Sequence, residues 1–350
     1  MLLTFPVVYY LYSLKKLSAI DRLLRFRVIA ENIHEDLFFG KGIGKMSFLY
    51  PQWQIDFFTN HSTINETFFL VAGESFLAFN EFMQMIIEIG LLGFLLVIFV
   101  NLFLLSLRGE KLYPYKLTIL AILISSISTY TFHVNLIIYV YLSSLLFLVN
   151  SVEIKTLKLK AKSFYNKILN AFLILTYIVL VFTVFMECRN IAKWLELEKS
   201  SEISAKNESL FKEFENLHTK LNYNSKFLLA YGTFLINTNE NEKIKKGINL
   251  IEESQKKYIS FQSLDMLSLA YLKIENYKKS IFYTQKLKHL VPSKFGTRLR
   301  LIKLLKAAQF HCEAVKEAKY LLSMPVKIPS IEVDEIKRHT EDILKEYNDI

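Results

Sequence analysis

Five basic side chains crowd the segment KKLSAIDRLLRFR: Lys15, Lys16, Arg22, Arg25 and Arg27. Arginine offers a planar fork of donors that matches the oxygens of phosphate, so a helix carrying Arg22 and Arg25 has the chemistry to hold one. The same pattern suits an interfacial amphipathic helix whose arginines meet lipid headgroups. A second polar group lies in AFNEFMQMIIEIGLLGFLLVIF. At roughly 100° per residue in a helix, Asn80, Glu81, Gln84 and Glu88 share one narrow sector. An ionisable group costs at least about 2.5 kcal/mol at mid-bilayer, which leaves Glu88 two readings: a carboxylate near the membrane interface, or part of the wall of a polar cavity.

The elements that must position these groups are apolar. The chain has 350 residues, 52% hydrophobic and 14% aromatic, with a positive mean hydropathy, too apolar for an ordinary soluble protein and in keeping with membrane spans joined to a soluble part. A net charge of +10 suits anionic lipid or phosphate. Nucleic acid is not an expected partner, because the bulk of the first half would lie in a bilayer. Cys188 and Cys312 stand far apart, with neither a disulfide framework nor metal-ligand spacing, and are expected to be unpaired or buried.

A membrane helix needs about 20 mainly apolar residues, and residues 83–107 and 168–186 each satisfy that. Residues 117–149 are too long for one crossing and are interrupted at SSISTYTFHVN by hydroxyls, His133 and Asn135, which predicts a hairpin of spans 117–130 and 132–149. Residues 1–14 are apolar but short and lack the features of a signal peptide, so they read as the tail of a span whose beginning is missing. Positive charge in RGEKLYPYK and at Lys155, Lys158, Lys160, Lys162 and Lys167 places those connections in the cytoplasm. The loop 15–79, the hairpin tip near Thr131 and everything after residue 186 then face the opposite side, in a bacterium the periplasm. The basic segment at Arg22 departs from the charge rule there, and a lipid-diphosphate ligand would explain the departure.

From residue 187 onward the chain reads as a helical repeat domain, with self-similarity near the ~34-residue tetratricopeptide period. In LDMLSLAYLKIENYKKSIFYTQKLKHLVP, Leu267, Tyr271, Tyr277 and Pro292 take the large-residue and terminal-proline positions and Ser280 the small one. The copy at 298–325 has Ala314 and Ala318, and a looser copy at 228–258 has Gly232 and Gly247. Each copy buries its apolar face by stacking on its neighbour, giving either a concave docking surface or a brace for the membrane part. Cys312, His289 and His311 lie inside these helices, where no chemistry is expected of them.

With these parts in order, the chain resembles the O-antigen ligase/polymerase family of membrane glycosyltransferases, in its Bacteroidetes type with C-terminal tetratricopeptide repeats. SAIDRLLRF is similar to the family's S-A-x-G-R-x-x-x-W; FFGKGIGKMSFLYPQWQIDFF to its G-x-G followed by an aromatic and Y-x-x-x-Q-x-x-x-F; AGESFLAFNEFMQMIIEIGLLG and AKYLLSMPVKIPSIEVDEIK also match in order and spacing. Asp21 stands in place of the family's glycine, Phe26 of its tryptophan, Thr131 of a proline, and Phe79 of a histidine. Earlier spans of full-length relatives are absent, so a truncated form is expected.

The resemblance implies an all-α protein: a partial polytopic, GT-C-like membrane helix bundle in residues 1–186, followed by a periplasmic tetratricopeptide-type α-solenoid in 187–350. It implies transfer of a glycan from an undecaprenyl-diphosphate carrier to lipid A-core or a protein, with membrane lipids around the bundle, a possible protein partner on the repeats and no cofactor or metal. A polymerase, or a non-catalytic membrane-anchored adaptor of surface-glycan assembly, are the alternatives. On this resemblance Arg22 holds the diphosphate, with Arg25 added as its neighbour. Glu74 is the first candidate for the general base, Glu81 the second and Glu88 the third, while Asn80, Gln84 and Glu88 line the cavity or support the site. Gly40, Gly42 and Gly44 give a weak nucleotide signal and are expected to form a tight path beneath the arginines. His34 and His61 are either proton-transfer groups or ordinary surface histidines; Trp53 either stacks on sugar or packs at the interface.

Overall fold

The computed structural model describes residues 15–34, 36–61, 66–151, 163–203 and 208–348. The fold is all-α, with fifteen α-helices and no strand among the described residues. The expected partial span 1–14 lies outside them. The chain divides into two compact units, Met1–Leu145 with Gln255–Ile350, and Leu146–Ser254. The expected division was at 186/187; here residues 255–350 group with residues 1–145.

In the first unit, α1 (Lys16–Asn32) repeats apolar residues every turn, and Ile20, Leu24 and Val28 are buried with Ile29. On α2 (Met46–Asn60), Tyr50, Gln54 and Phe58 follow one another at four-residue spacing, so they share a face, and all three are buried. The short α3 (Glu66–Val71) joins two cores: Phe68 and Val71 pack with α1 and α2, whereas Phe69 packs among the C-terminal helices. Gln54 reinforces that joint. Its Nε2 donates to Leu290 O at 2.6 Å and to Gly73 O at 3.1 Å. Gln54→Leu keeps the volume and strands both carbonyls, so it is expected to cost about 1–3 kcal/mol; an unshifted thermal melt of the detergent-solubilised chain would contradict this.

Helix α4 (Glu81–Ser106) is capped by Asn80, whose side chain accepts from Met83 N, but it is not the continuous span expected over 83–107. Gly90, at φ 74° and ψ 173°, interrupts it. The loop before α2 fills the gap: Lys41 N–H donates to Ile87 O at 2.7 Å and Gly42 N–H to Glu88 O at 2.9 Å, while Leu37 O and Phe38 O accept from Leu91 N and Leu92 N at 2.8 and 3.2 Å. Backbone groups freed in apolar surroundings must be satisfied in this way. The approach is close enough that a Cβ on Gly40 would lie 2.5 Å from Gly90 N, and one on Gly90 would lie 2.2 Å from Phe38 O. The tight path expected of the loop glycines therefore runs against α4.

Helices α5 (Tyr113–Ser126) and α6 (Asn135–Asn150) are joined through a 3-10 turn at Thr131–His133. Buried Thr131 shares a hydroxyl hydrogen bond with Ser126, and Tyr141 of α6 donates to Asn101 Oδ1 of α4 at 2.8 Å. In the second unit, α7 (Ser163–Ile203), α8 (Glu208–Leu221), α9 (Ser225–Asn237) and α10 (Asn241–Gln255) enclose a core that includes Trp194, Phe214 and Phe227. There α9 and α10 touch backbone to backbone, where a Cβ on Gly247 would lie 2.7 Å from Gly232 O. Among the described residues, two helices are long and apolar enough to cross a membrane, by length and composition alone: Glu81–Ser106, and Ile174–Ser200 within α7; Asn135–Asn150 is apolar but shorter.

The first unit closes with α11 (Phe261–Lys273), α12 (Tyr277–Leu290), α13 (Phe295–Ala307), α14 (His311–Ser323) and α15 (Ile331–Asn348), each packed on the next. Small residues set the contacts: Ser280 Oγ donates to Ser268 O at 2.8 Å, Ser268 and Thr284 share a hydroxyl bond of 2.6 Å, and Ala314 and Ala318 are fully buried.

Candidate functional site

The two arginines of α1 are placed differently. Arg25 is 6% exposed. Its Nε and Nη2 donate to Asp21 Oδ2 at 3.1 and 2.6 Å, and Nη1 donates to Leu77 O at 3.2 Å. Its guanidinium also lies 4.7 Å from the centre of the Phe79 ring and 5.7 Å from that of Tyr50. Arg25, expected beside the diphosphate, ties α1 to the segment before α4 through these bonds. The four-residue spacing from Asp21 was the signal for that pairing. Burial, the largest influence on Tyr50, pushes its phenol well above the usual range. Arg22, one turn earlier and half-buried, lies 6.0 Å from the Phe79 ring and makes no ion pair among the described residues.

Phe79 is the hub. It holds a left-handed backbone at φ 55°, a conformation that costs a bulky side chain roughly 1–2 kcal/mol and is concentrated at functional positions. Its ring meets Arg22 and Arg25 of α1 and the edge of Tyr130, 5.3 Å away in the α5–α6 turn.

Beside this turn lies a continuous polar network. Glu81, 3% exposed, accepts at Oε1 from Phe132 N–H at 2.9 Å and from His133 Nδ1 at 3.1 Å. His133 Nε2 lies 3.2 Å from Gln84 Nε2, which also donates to Glu88 Oε1 at 3.2 Å. Gln84 Oε1 accepts from Ala78 N–H at 3.3 Å, and this fixes which end of the amide carries the donors. Glu81 as a carboxylate can only accept and the Gln84 amide nitrogen can only donate, so the consistent imidazole carries its proton on Nδ1 and its lone pair on Nε2. The imidazole side chain is 38% exposed and the carboxylate behind it 4%. This arrangement can take a proton at Nε2 while Glu81 steadies the resulting charge.

Of the expected site residues, Glu81, Gln84 and Glu88 meet in this network. Asn80 is the α4 cap, and Glu74 takes no part. Exposed Glu74 accepts at Oε1 from Phe261 N–H at 2.7 Å, satisfying the first free donor of α11 where a negative charge is favourable. Nearby, Phe76 stacks on Tyr258 with ring centres 5.0 Å apart. The residue that sequence reasoning missed is His133, taken only as an interruption of the hairpin; an imidazole within an apolar stretch was the available signal.

Trp53, 9% exposed, is packed in the core of α1–α3. His34 is exposed, and His61 lies 2.9 Å from Phe57 O through Nδ1. Cys188 and Cys312 are free, exposed thiols. Among the described residues, no group of three or more His, Cys, Asp or Glu is arranged to hold a metal ion. No protein-family model, curated protein or solved structure matches the chain at significant similarity.

Proposed function

We propose that the chain is a membrane glycosyltransferase of the O-antigen ligase/polymerase type, moving a glycan from an undecaprenyl-diphosphate carrier to lipid A-core or a protein on the periplasmic side. The observation that carries this reading is the placement of Phe79 against half-buried Arg22, which makes no ion pair among the described residues, and against Tyr130, in the same turn as the carboxylate-backed imidazole of His133. Transfer from a lipid diphosphate needs stabilisation of the departing diphosphate and a base for the acceptor hydroxyl. Arg22 supplies the first, because fixed donors in a site of low dielectric stabilise developing negative charge. His133 supplies the second: the acceptor hydroxyl displaces the Gln84 amide from Nε2, gives its proton to that nitrogen and attacks the sugar carbon, while Glu81 holds the imidazolium.

In this account α4, α5, α6 and the apolar part of α7 are spans of a polytopic bundle, and the exposed Leu92, Leu95, Leu96 and Phe99 face acyl chains. Phe38, Phe39 and Ile43, 60%, 80% and 83% exposed, enter the interface beside the interruption in α4. Helices α11–α15 form a tetratricopeptide-type stack that presents the acceptor or a protein partner. Ligase and polymerase share this chemistry and differ in acceptor.

Arg22→Ala is expected to abolish glycan transfer with insertion intact, whereas Arg25→Ala, which strands Asp21 and Leu77 O, lowers the melting temperature as well. Unchanged transfer by Arg22→Ala in a ligase-deficient host would remove the diphosphate role. A second reading, a non-catalytic adaptor of surface-glycan assembly, draws on Arg25 and Glu74, both engaged in internal contacts; it predicts surface glycan indifferent to Arg22 and His133 alike.

A further inference from the structure

A cleft of about 750 Å³ opens within the first unit, between the end of α2 with α3 and the helices α12–α14. Its floor is built from charge. Arg298 of α13 is 6% exposed and donates from Nη1 to Glu317 Oε2 at 3.0 Å. Lys288 of α12 donates to the other oxygen, Glu317 Oε1, at 2.6 Å. Two cations therefore share one carboxylate, and exposed Lys316, which also lines the cleft, makes no ion pair among the described residues.

Among the described residues the Nε of Arg298 meets no acceptor, and it is closed off from solvent. The guanidinium lies over the Tyr320 ring, 4.4 Å from its centre, with Phe69 at 5.8 Å, so its fork is placed before any ligand arrives. His289 alongside is held down to about 4, by burial first and then by Lys288 and Arg298; it is neutral at physiological pH, so the positive charge of the cleft comes from Lys288, Arg298 and Lys316, against Glu317 and Glu66. The volume lies within the range of small-molecule sites and well exceeds the space a bare phosphate fills.

We propose that this cleft binds a small organic anion of sugar-phosphate size, whose anionic group is taken by Lys288 and Lys316 beside the Arg298 guanidinium. The assignment does not use the transfer reaction and stands or falls apart from it.

The test is calorimetric titration of the purified full chain in detergent with glucose 6-phosphate, beside glucose and inorganic phosphate. Saturable binding of glucose 6-phosphate is expected, tighter than either comparison compound. Lys316→Ala changes an exposed position and leaves the fold alone, so a several-fold weaker affinity reports on the site itself. Arg298→Lys keeps the charge beside Glu317 but loses the planar fork, and is expected to weaken binding about tenfold, the equivalent of one charge-assisted hydrogen bond. Absence of saturable binding, equal affinity in both variants, or glucose or inorganic phosphate binding as tightly as glucose 6-phosphate would overturn the proposal.

Discussion

His133→Ala is expected to lower glycan transfer by roughly 10²–10⁴-fold, the usual worth of a positioned general base, while the chain still inserts and its melting temperature falls modestly, since Glu81 keeps the Phe132 N–H. The imidazole sits on the exposed side of the network, 38% exposed against 4% for Glu81, so removing it opens little core. Glu81→Gln should follow it in effect, because an amide no longer balances the imidazolium and loses the charge that receives Phe132 N–H and His133 Nδ1. Glu88→Gln should be milder, since among the described residues the Glu88 carboxylate meets the network through Gln84 alone. Glu74→Gln keeps an oxygen to accept from Phe261 N–H and should leave transfer nearly unchanged. Initial rates of transfer in membranes holding equal amounts of each variant give the ranking; Glu74→Gln falling below His133→Ala would return the base to the loop.

Gly90→Ala is expected to destabilise the first unit by about 3 kcal/mol or more. Two costs add there: a backbone combination almost reserved for glycine, worth about 1–3 kcal/mol, and a Cβ that would stand 2.2 Å from Phe38 O. The clash is with backbone, so relief means withdrawing the loop and exposing the four hydrogen bonds that fill the interruption. Against a total stability of roughly 5–15 kcal/mol, that is a large share. Gly93→Ala is the control, a helical position whose new Cβ meets Ile89 side-chain atoms at 3.0–3.1 Å, and it should be tolerated with a small shift. Equal melting temperatures for the two variants in detergent would show that the loop does not depend on Gly90.

Periodicity carried the helical character of the chain and the shared sector of Glu81, Gln84 and Glu88, because spacing within one helix is local information. It failed at Asn80, whose extended backbone at φ −152° places it outside the helix, where helical phase no longer applies. It also passed over Gly90, since one glycine in an apolar run reads as a tolerated helix residue and the loop that satisfies the gap lies some fifty residues earlier. The Asp21–Arg25 pair was legible as a four-residue spacing, but the segment was read for its positive charge and the pairing was passed over. The contacts of Gln54 with Leu290 O and Glu74 with Phe261 N–H span 236 and 187 residues and leave no local trace. His133 was visible, but its partner Glu81 lies 52 residues away, and that separation hid the pairing.

The central claim is that Arg22 and His133 serve one reaction at a lipid diphosphate. It is tested most directly by reconstituting the full chain in vesicles with an undecaprenyl-diphosphate-linked glycan and a lipid A-core acceptor, then measuring released undecaprenyl diphosphate. The account predicts release matched by glycan on the acceptor for the parent chain, carrier binding without release for His133→Gln, and neither for Arg22→Ala. Release that persists in both variants, or a parent chain that neither binds nor releases the carrier, would contradict it.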